Sequence, residues 1–195
     1  MCAIRVGRFW YNPVMRTVLE SAFFDRDPAV VARALLGMFV VRMVEGHEVS
    51  LMITETEAYA GAEDRASHAR FGKTARTAPM FGPPSTTYVY FTYGMHHMLN
   101  VACQAEGMPS AVLIRGAGNI VGPARLTKAL AVDRGLSGQP LGKEVGLWFE
   151  DRGVVVAAQD IQVTPRVGVE YAGACARRLW RFVVRTASAR TKSAR

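Results

Sequence analysis

The chain has 195 residues with a mass of 21.3 kDa, half of them hydrophobic, and a formal net charge of +8. This length is typical of one domain, and we expect a single domain over residues 1–185 followed by a basic, disordered tail over residues 186–195. The basic residues are mostly arginines, whose guanidinium groups match phosphate oxygens, so the charge favours a phosphate-bearing partner. Three cysteines that lie far apart exclude a disulfide framework and a zinc ribbon.

The sequence has no segment typical of export or of membrane insertion. Residues 1–24 mix arginines with short apolar runs, so they lack the continuous apolar core of a secretion signal. No stretch has the roughly 18 uninterrupted apolar residues that a membrane span requires. We therefore expect a soluble cytoplasmic protein without a membrane partner.

The first predicted helix begins at Asp27-Pro28, where aspartate caps and proline occupies the first turn, and it ends at Gly37. We expect Val30, Ala34 and Leu35 to form its buried side. The next two segments, 39–43 and 49–59, predict a β-hairpin around residues 45–47.

The second strand of that hairpin changes from apolar to acidic along its length. Side chains alternate along a strand, so Glu55, Glu57 and Tyr59 should continue the face of the odd-numbered residues of 49–53. A charged carboxylate at the end of a buried strand costs several kcal/mol unless it is paired or used, and burial raises its pKa. Such a carboxylate is suited to act as a general base. A solvated or ion-paired structural role is the alternative.

A polar loop, Glu63 to His68, comes next, and Arg70, Lys73 and Arg76 follow it with no acidic residue among them. The chain then returns as a tyrosine-rich strand from Tyr88 to a turn at Gly94. An acid, a histidine, basic side chains and stacking aromatics in one segment indicate a pocket that modifies nucleic acid. Each residue also has a purely structural interpretation, such as core packing for the tyrosines.

The strand from Met95 to Ala102 contains the adjacent histidines His96 and His97. Neighbours on a strand point to opposite faces, so these two side chains cannot easily share one metal ion. A metal-dependent hydrolase that uses them stays open as an alternative, but we expect no metal site.

The remaining chain predicts further strands and one helix. Arg115 ends the buried strand 111–115, where it is either a surface cap or a cation directed into a cleft. A helix begins at Pro123, and its free backbone N–H groups suit either a phosphate or a plain helix start. The other predicted strands are 145–150, 154–158, 161–164, 166–169, which should close the sheet, and 179–184.

Seven motifs occur in order along the chain: Ala32 to Gly37, Glu55 to Tyr59, Glu63 to His68, Tyr88 to Gly94 with Asn100, Val112 to Arg115, Gly122-Pro123, and Arg166 to Gly173. With these motifs the chain closely resembles the alkyladenine, or 3-methyladenine, DNA glycosylases. The resemblance implies one α+β domain with a curved, mainly antiparallel sheet flanked by helices, similar to the formyltransferase C-terminal domain. It also implies no metal or redox cofactor, and duplex DNA with damaged purines as the partner. A monomer is the default expectation, and the expected cytoplasmic location would be in association with the nucleoid.

The implied activity is that of a monofunctional DNA glycosylase of base excision repair, which flips alkylated or deaminated purines out of duplex DNA and hydrolyses the N-glycosidic bond. By resemblance, Glu57 is the general base that activates water for attack on the deoxyribose C1′ atom. Arg115 and the backbone carbonyl of Val167 would hold that water.

The resemblance also assigns the residues that contact the extruded base and the duplex. Tyr59, His68 and Tyr90 would form the stacking walls and edge contacts of the base pocket. Asn100 would line the pocket and disfavour guanine by crowding its exocyclic amino group. Tyr93 would be the wedge that fills the gap in the duplex.

The sequence departs from the family pattern at three places. Thr77 stands where relatives often have asparagine, Ser85 stands where glycine is common, and only residues 116–121 separate Arg115 from Gly122, where relatives have a longer segment. The short segment, together with the net charge, motivates the alternative of a catalytically impaired protein that binds damaged DNA.

Overall fold

The computed structural model describes residues 4–6, 9–11 and 16–185. These residues contain twelve β-strands, three short α-helices and five 3-10 segments. The strands are β1 (Ile4–Val6), β2 (Phe9–Tyr11), β3 (Thr17–Val18), β4 (Phe39–Val44), β5 (His47–Ala60), β6 (Thr87–Thr92), β7 (His96–Ala102), β8 (Ser110–Ala117), β9 (Ile120–Val121), β10 (Leu147–Asp151), β11 (Ile161–Thr164) and β12 (Arg181–Val184). The α-helices are α1 (Ser21–Phe24), α2 (Pro28–Ala34) and α3 (Pro123–Ala129). The 3-10 segments are His68–Phe71, Ala78–Phe81, Arg134–Leu136, Ala158–Asp160 and Glu170–Arg177.

Ten of the strands form one sheet, whose main path runs in the order β3-β10-β4-β5-β8-β7-β6. Strand β12 adds to β5 and carries β11, while β9 pairs with β8 and β1 pairs separately with β2. All of these pairings are antiparallel. The fold therefore confirms the expected α+β domain with a mainly antiparallel sheet. The predicted basic tail, residues 186–195, lies outside the described residues.

Strand β5 is the central strand, and at 14 residues it is long enough to take part in three pairings. Its first half pairs with β4, from His47 to Met52. Its second half pairs with β8 on one edge and with β12 on the other, so that Glu57 has Leu113 on one side and Arg181 on the other. The backbone at Glu57 is thus held along both edges.

The prediction that Glu55, Glu57 and Tyr59 share the face of residues 49–53 is wrong. The register between β5 and β8 shifts at Thr54 and again at Arg115, which is an irregularity of the β-bulge type. After the shift Ala58, not Glu57, continues on the core side with Ile53. One extra residue reverses the alternation, so the acidic face points away from the main core and toward the wall of a cavity.

Helix α2 packs beside this strand. Asp27 caps it as predicted, since its Oδ1 atom accepts from the backbone N–H groups of residues 29 and 30. The predicted buried side was partly wrong, because Val30 is 50% exposed whereas Val31 and Ala32 are fully buried, together with Leu35. The Thr56 hydroxyl donates to the Ala32 carbonyl at 2.7 Å and thereby attaches β5 to the helix.

Two predicted strands near the carboxyl end are absent: residues 154–158 and 166–169 form no strand. Arg166 does not close the sheet because its side chain is buried against Asp64, which ties the segment to a distant loop instead. Gly168 follows with a φ of 73°, a conformation that interrupts an extended strand. In the described part of the chain, no helix has both the length and the apolar character needed to cross a membrane.

Candidate active site

A cavity of about 350 Å³ opens on the acidic face of β5. Strands β6, β7 and β8 and the loops after β5 and after β11 supply most of its lining, to which the end of β5 and the start of α3 add one residue each. The lining residues are Tyr59, Ala66, His68, Arg76, Met80, Tyr88, Tyr90, Thr92, Tyr93, Met98, Asn100, Ala111, Leu113, Arg115, Pro123, Val167, Gly168, Val169 and Tyr171.

Glu57 lies directly beneath this lining and is fully buried. Its Oε1 atom accepts a hydrogen bond from the backbone N–H of Val167 at 2.8 Å, and its Oε2 atom accepts from the Tyr59 hydroxyl at 2.8 Å. The Arg115 guanidinium lies at 3.4 Å and 3.5 Å from the two oxygens. All three partners line the cavity, so the carboxylate lies immediately behind the cavity wall.

Burial raises the pKa of Glu57 above its ordinary value, and this effect exceeds the opposing effects of Arg115, the Val167 N–H and the Tyr59 hydroxyl. The nearby charge of Glu55 adds to the increase. Burial also raises the pKa of Tyr59, which keeps its hydroxyl protonated and able to donate to Glu57. A carboxylate with a raised pKa binds a proton more strongly, as a general base requires.

Glu55 has a different environment although it also is buried. Its Oε1 atom accepts from Arg115 Nε at 2.8 Å and from Arg181 Nε at 2.7 Å. Burial alone would raise the pKa of Glu55, but these two charge-assisted hydrogen bonds lower it below its ordinary value. Glu55 is therefore ionised at neutral pH, and it fixes the orientation of Arg115 toward Glu57.

The walls of the cavity are aromatic. His68 stacks edge-to-face on Tyr90, with 4.7 Å between ring centroids, and its Nδ1 atom lies 2.9 Å from the hydroxyl of Tyr88. Burial, reinforced by the charges of Arg76 and Arg70, lowers the pKa of His68 to about 4. The imidazole is thus neutral at physiological pH and presents no charge to a bound base.

Asn100 lies at the back of the cavity and is 3% exposed. Its side-chain amide donates to the carbonyls of Tyr88 and Met98, each at 3.1 Å. These bonds hold the amide group in one orientation.

Tyr93 stands at the mouth of the cavity, at the tip of the β6–β7 hairpin, and is 85% exposed. Tyr93 and Gly94 have φ values of 52° and 67°, and the N–H of Met95 closes the turn onto the Thr92 carbonyl at 3.2 Å. A left-handed conformation costs a non-glycine residue about 1 to 2 kcal/mol. The hairpin therefore carries a bulky aromatic side chain at a position where asparagine or glycine is normally preferred.

A buried ion pair that the sequence analysis did not identify supports the site. Arg166 Nη2 donates to Asp64 Oδ1 at 2.8 Å, and its Nη1 donates to the Ala58 carbonyl at 2.9 Å. The guanidinium also lies over the ring of Tyr59 at 4.7 Å. Because Arg166 directly precedes Val167, this pair fixes the N–H group that binds Glu57.

The structure brings the eight predicted site residues together at one place. Seven of them line the cavity, and the eighth, Glu57, contacts three of the seven. Arg115 is directed into the cleft and is not a surface cap. Val167 contacts the carboxylate through its N–H, while the predicted role of its carbonyl stays a prediction. Within the described residues no three histidine, cysteine or acidic side chains are grouped as metal ligands would be.

The family model of methylpurine-DNA glycosylase (MPG) matches residues 22–121 and 118–188. The chain belongs to this family. The glycosylase is 48% identical over 176 residues to a relative from Anaeromyxobacter dehalogenans (strain 2CP-C), an alignment that covers 86% of this chain and 83% of the relative. Relatives from Streptomyces avermitilis and Methanocella arvoryzae are 41% and 40% identical, covering 86% and 85% of this chain and 87% and 91% of their own lengths. Each relative has the name "Putative 3-methyladenine DNA glycosylase".

The protein is accordingly a DNA glycosylase, an enzyme of DNA repair. The two parts of the family match overlap at residues 118–121, within the segment 116–121 that we expect to be shorter than in relatives. The structure shows a tight hairpin there, in which Gly116 pairs with Val121 and Ala117 pairs with Ile120. The short segment leaves the position of Arg115 intact.

Proposed function

We propose that this glycosylase hydrolyses the N-glycosidic bond of alkylated or deaminated purines that have rotated out of duplex DNA. The observation that carries the proposal is the position of Glu57, a buried carboxylate with a raised pKa, directly beneath an aromatic cavity. The names of the relatives support a methylated purine as one substrate. Duplex DNA would be the partner of a monomer, and the reaction would need no cofactor.

Entry of a base into the cavity requires that it first leave the helix, at a cost of a few kcal/mol that is smallest for damaged or mispaired bases. Tyr93 is suited to offset part of that cost. Its ring is exposed beside the cavity mouth and is held out by a strained turn, so it is available to occupy the space that the base has left.

The cavity walls favour an electron-poor purine. Cationic groups are attracted to the faces of aromatic rings, by about 0.5 to 2 kcal/mol per ring. Tyr59 and Tyr90 offer such rings, and the neutral His68 adds no repulsion. Alkylated purines that carry a positive charge are also good leaving groups. Neutral substrates such as hypoxanthine need protonation as they depart.

The proposed reaction transfers one proton to Glu57. A water molecule near Arg115 and Val167 loses a proton to the carboxylate while its oxygen bonds to the deoxyribose C1′ atom. The C1′–N bond breaks, and its electron pair leaves with the base. The product is a free base and an abasic site. No lysine lines the cavity within the described residues, which supports simple hydrolysis over a Schiff-base lyase step.

The test compares wild type with Glu57→Gln on duplexes that contain hypoxanthine, ethenoadenine or methylated adenine, with alkali treatment to reveal abasic sites. We expect base release by wild type and none by the variant, while binding to lesion DNA stays within about threefold, since the substitution conserves shape. Release by Glu57→Gln at the wild-type rate would refute the role of Glu57. A DNA adduct trapped by borohydride would refute the hydrolytic mechanism.

A further inference from the structure

A second aromatic group lies beside the cavity and takes no part in the proposed reaction. Phe71 is 68% exposed and Tyr171 is 59% exposed, which places both among the most exposed large apolar side chains of the described residues. The guanidinium of Arg70 lies over both rings, 4.4 Å from the centroid of Phe71 and 5.0 Å from that of Tyr171. We call these three residues the Arg70 platform.

The Arg70 platform is held in place from two sides. Arg70 Nη1 donates to the carbonyl of Arg65, and the Tyr171 hydroxyl donates to the carbonyl of Ala66 at 3.4 Å. Phe71 ends a 3-10 segment whose first residue is the cavity histidine, His68. The rings and the guanidinium are therefore organised before any ligand binds.

Internal stability does not account for the exposure of these rings. An exposed cation–π contact contributes only about 0.5 to 1 kcal/mol, and clustered exposed apolar side chains commonly mark interaction sites. Phosphates are favoured nearby, because Arg70, Lys73 and Arg76 lie in a segment, residues 70–76, in which every residue is exposed and none is acidic. Stacking rings next to basic side chains are the combination that binds unpaired nucleotides.

The position of the Arg70 platform indicates which nucleotide it receives. Tyr171 lines the same cavity as Tyr93, so a strand whose damaged base enters the cavity passes close to both. When that base rotates out, its neighbours lose their contact with it, and the ring of Tyr93 replaces that contact only within the gap. We propose that the Arg70 platform is a second nucleobase-binding site, which stacks a base of the damaged strand adjacent to the extruded nucleotide. This inference rests on the proposed function, because it assumes that the cavity receives an extruded base.

The test uses duplexes that contain a tetrahydrofuran abasic analogue, from which no base can be released. Each duplex also contains one fluorescent 2-aminopurine, placed 5′ of the analogue, 3′ of the analogue or opposite it in the other strand. Wild type is compared with Phe71→Ala. Phe71→Trp provides conservative rescue, and Leu179→Ala is the control at an exposed apolar residue, 56% exposed, that does not line the cavity. Thermal unfolding confirms that each variant is folded.

We expect the 2-aminopurine at one flanking position of the damaged strand, either 5′ or 3′ of the analogue, to have a different fluorescence lifetime in the Phe71→Ala complex than in the wild-type complex. The Kd of that complex should be about 5-fold to 150-fold higher, the loss expected for one stacked base. Phe71→Trp should restore both readouts. If Phe71→Ala matches Leu179→Ala in Kd and lifetime at every probe position, or if only the opposite-strand probe responds, the inference is wrong. Failure of base release by wild type would refute the proposed function instead, since binding to the analogue requires no chemistry.

Discussion

Glu55 and Glu57 are the same residue type, lie two positions apart on one face of β5, and are both buried, yet their pKa values move in opposite directions. Glu55 accepts hydrogen bonds from two arginines. Glu57 accepts its short bonds from a neutral N–H and a neutral hydroxyl, with Arg115 at a greater distance. Burial raises the pKa of both carboxylates, but only at Glu55 do direct hydrogen bonds from two arginines reverse its effect, so that Glu55 becomes the stable anion and Glu57 the stronger base.

The comparison is tested most directly by making the same substitution at both positions. Glu55→Gln leaves two arginines without their shared anion, so we expect a loss on the order of 3 kcal/mol in the free energy of unfolding. Glu57→Gln removes a charge that burial disfavours, so at neutral pH this variant should be at least as stable as wild type. Urea unfolding of both variants measures the effect. Equal losses would contradict the assigned difference.

Arg115 connects the two carboxylates, and Arg115→Lys should weaken that connection. The guanidinium contacts Glu55 through Nε and faces Glu57 with Nη1, whereas an ammonium is a single point donor that cannot reproduce both contacts. We expect single-turnover base release to fall on the order of 100-fold, the cost of misplacing a group at the reacting centre. Arg181→Lys is the matched control, because the Arg181 side chain donates to Glu55, and its hydrogen bonds do not include Glu57. A similar rate loss in both variants would argue against a direct role for Arg115.

Glu55 and Glu57 should change the stability of the protein over different pH ranges, Glu55 below and Glu57 above their ordinary pKa of 4.5. The folded pKa of Glu57 is raised, so the folded state binds the extra proton and wild type loses stability relative to Glu57→Gln as pH rises above 4.5. The folded pKa of Glu55 is lowered, so wild type gains stability relative to Glu55→Gln as pH rises toward 4.5, and the difference is constant above it. Thermal unfolding between pH 3 and pH 8 should give difference curves of opposite slope. Curves of the same slope would show that the pKa of one of the two carboxylates shifts in the opposite direction from the one assigned.

Ser85→Gly should change stability without affecting either carboxylate. Ser85 has a φ of 74°, in the left-handed region that disfavours side chains and favours glycine. Glycine removes this strain, but its greater conformational entropy in the unfolded chain offsets part of the gain. We expect the protein to be stabilised by up to about 1 kcal/mol. A calorimetric Tm checks the gain, and Ser85→Ala, which retains the strain, should show none. The pH difference curves should be unchanged in this background.

Local pattern and family resemblance predicted the α2 cap, most strands and the residues that meet at the cavity. They did not predict the switch of faces at Thr54, because a bulge depends on the pairing with β8 and leaves the alternation of residue types intact. Nor did they predict the Asp64–Arg166 pair, whose members lie 102 positions apart and have no local signature. The same pair explains why residues 166–169 form a loop although their sequence favours a strand.

The double pairing of β5 at Glu57 has a consequence for motion. A strand that is hydrogen-bonded along both edges cannot shift without breaking the sheet, so the amide protons around Glu57 should exchange with solvent only on global unfolding. The exposed segment 70–76 lies outside the sheet, so its amide protons should exchange faster than those around Glu57. Any movement of the loops around the cavity should therefore leave Glu57, the proposed general base, in a fixed position.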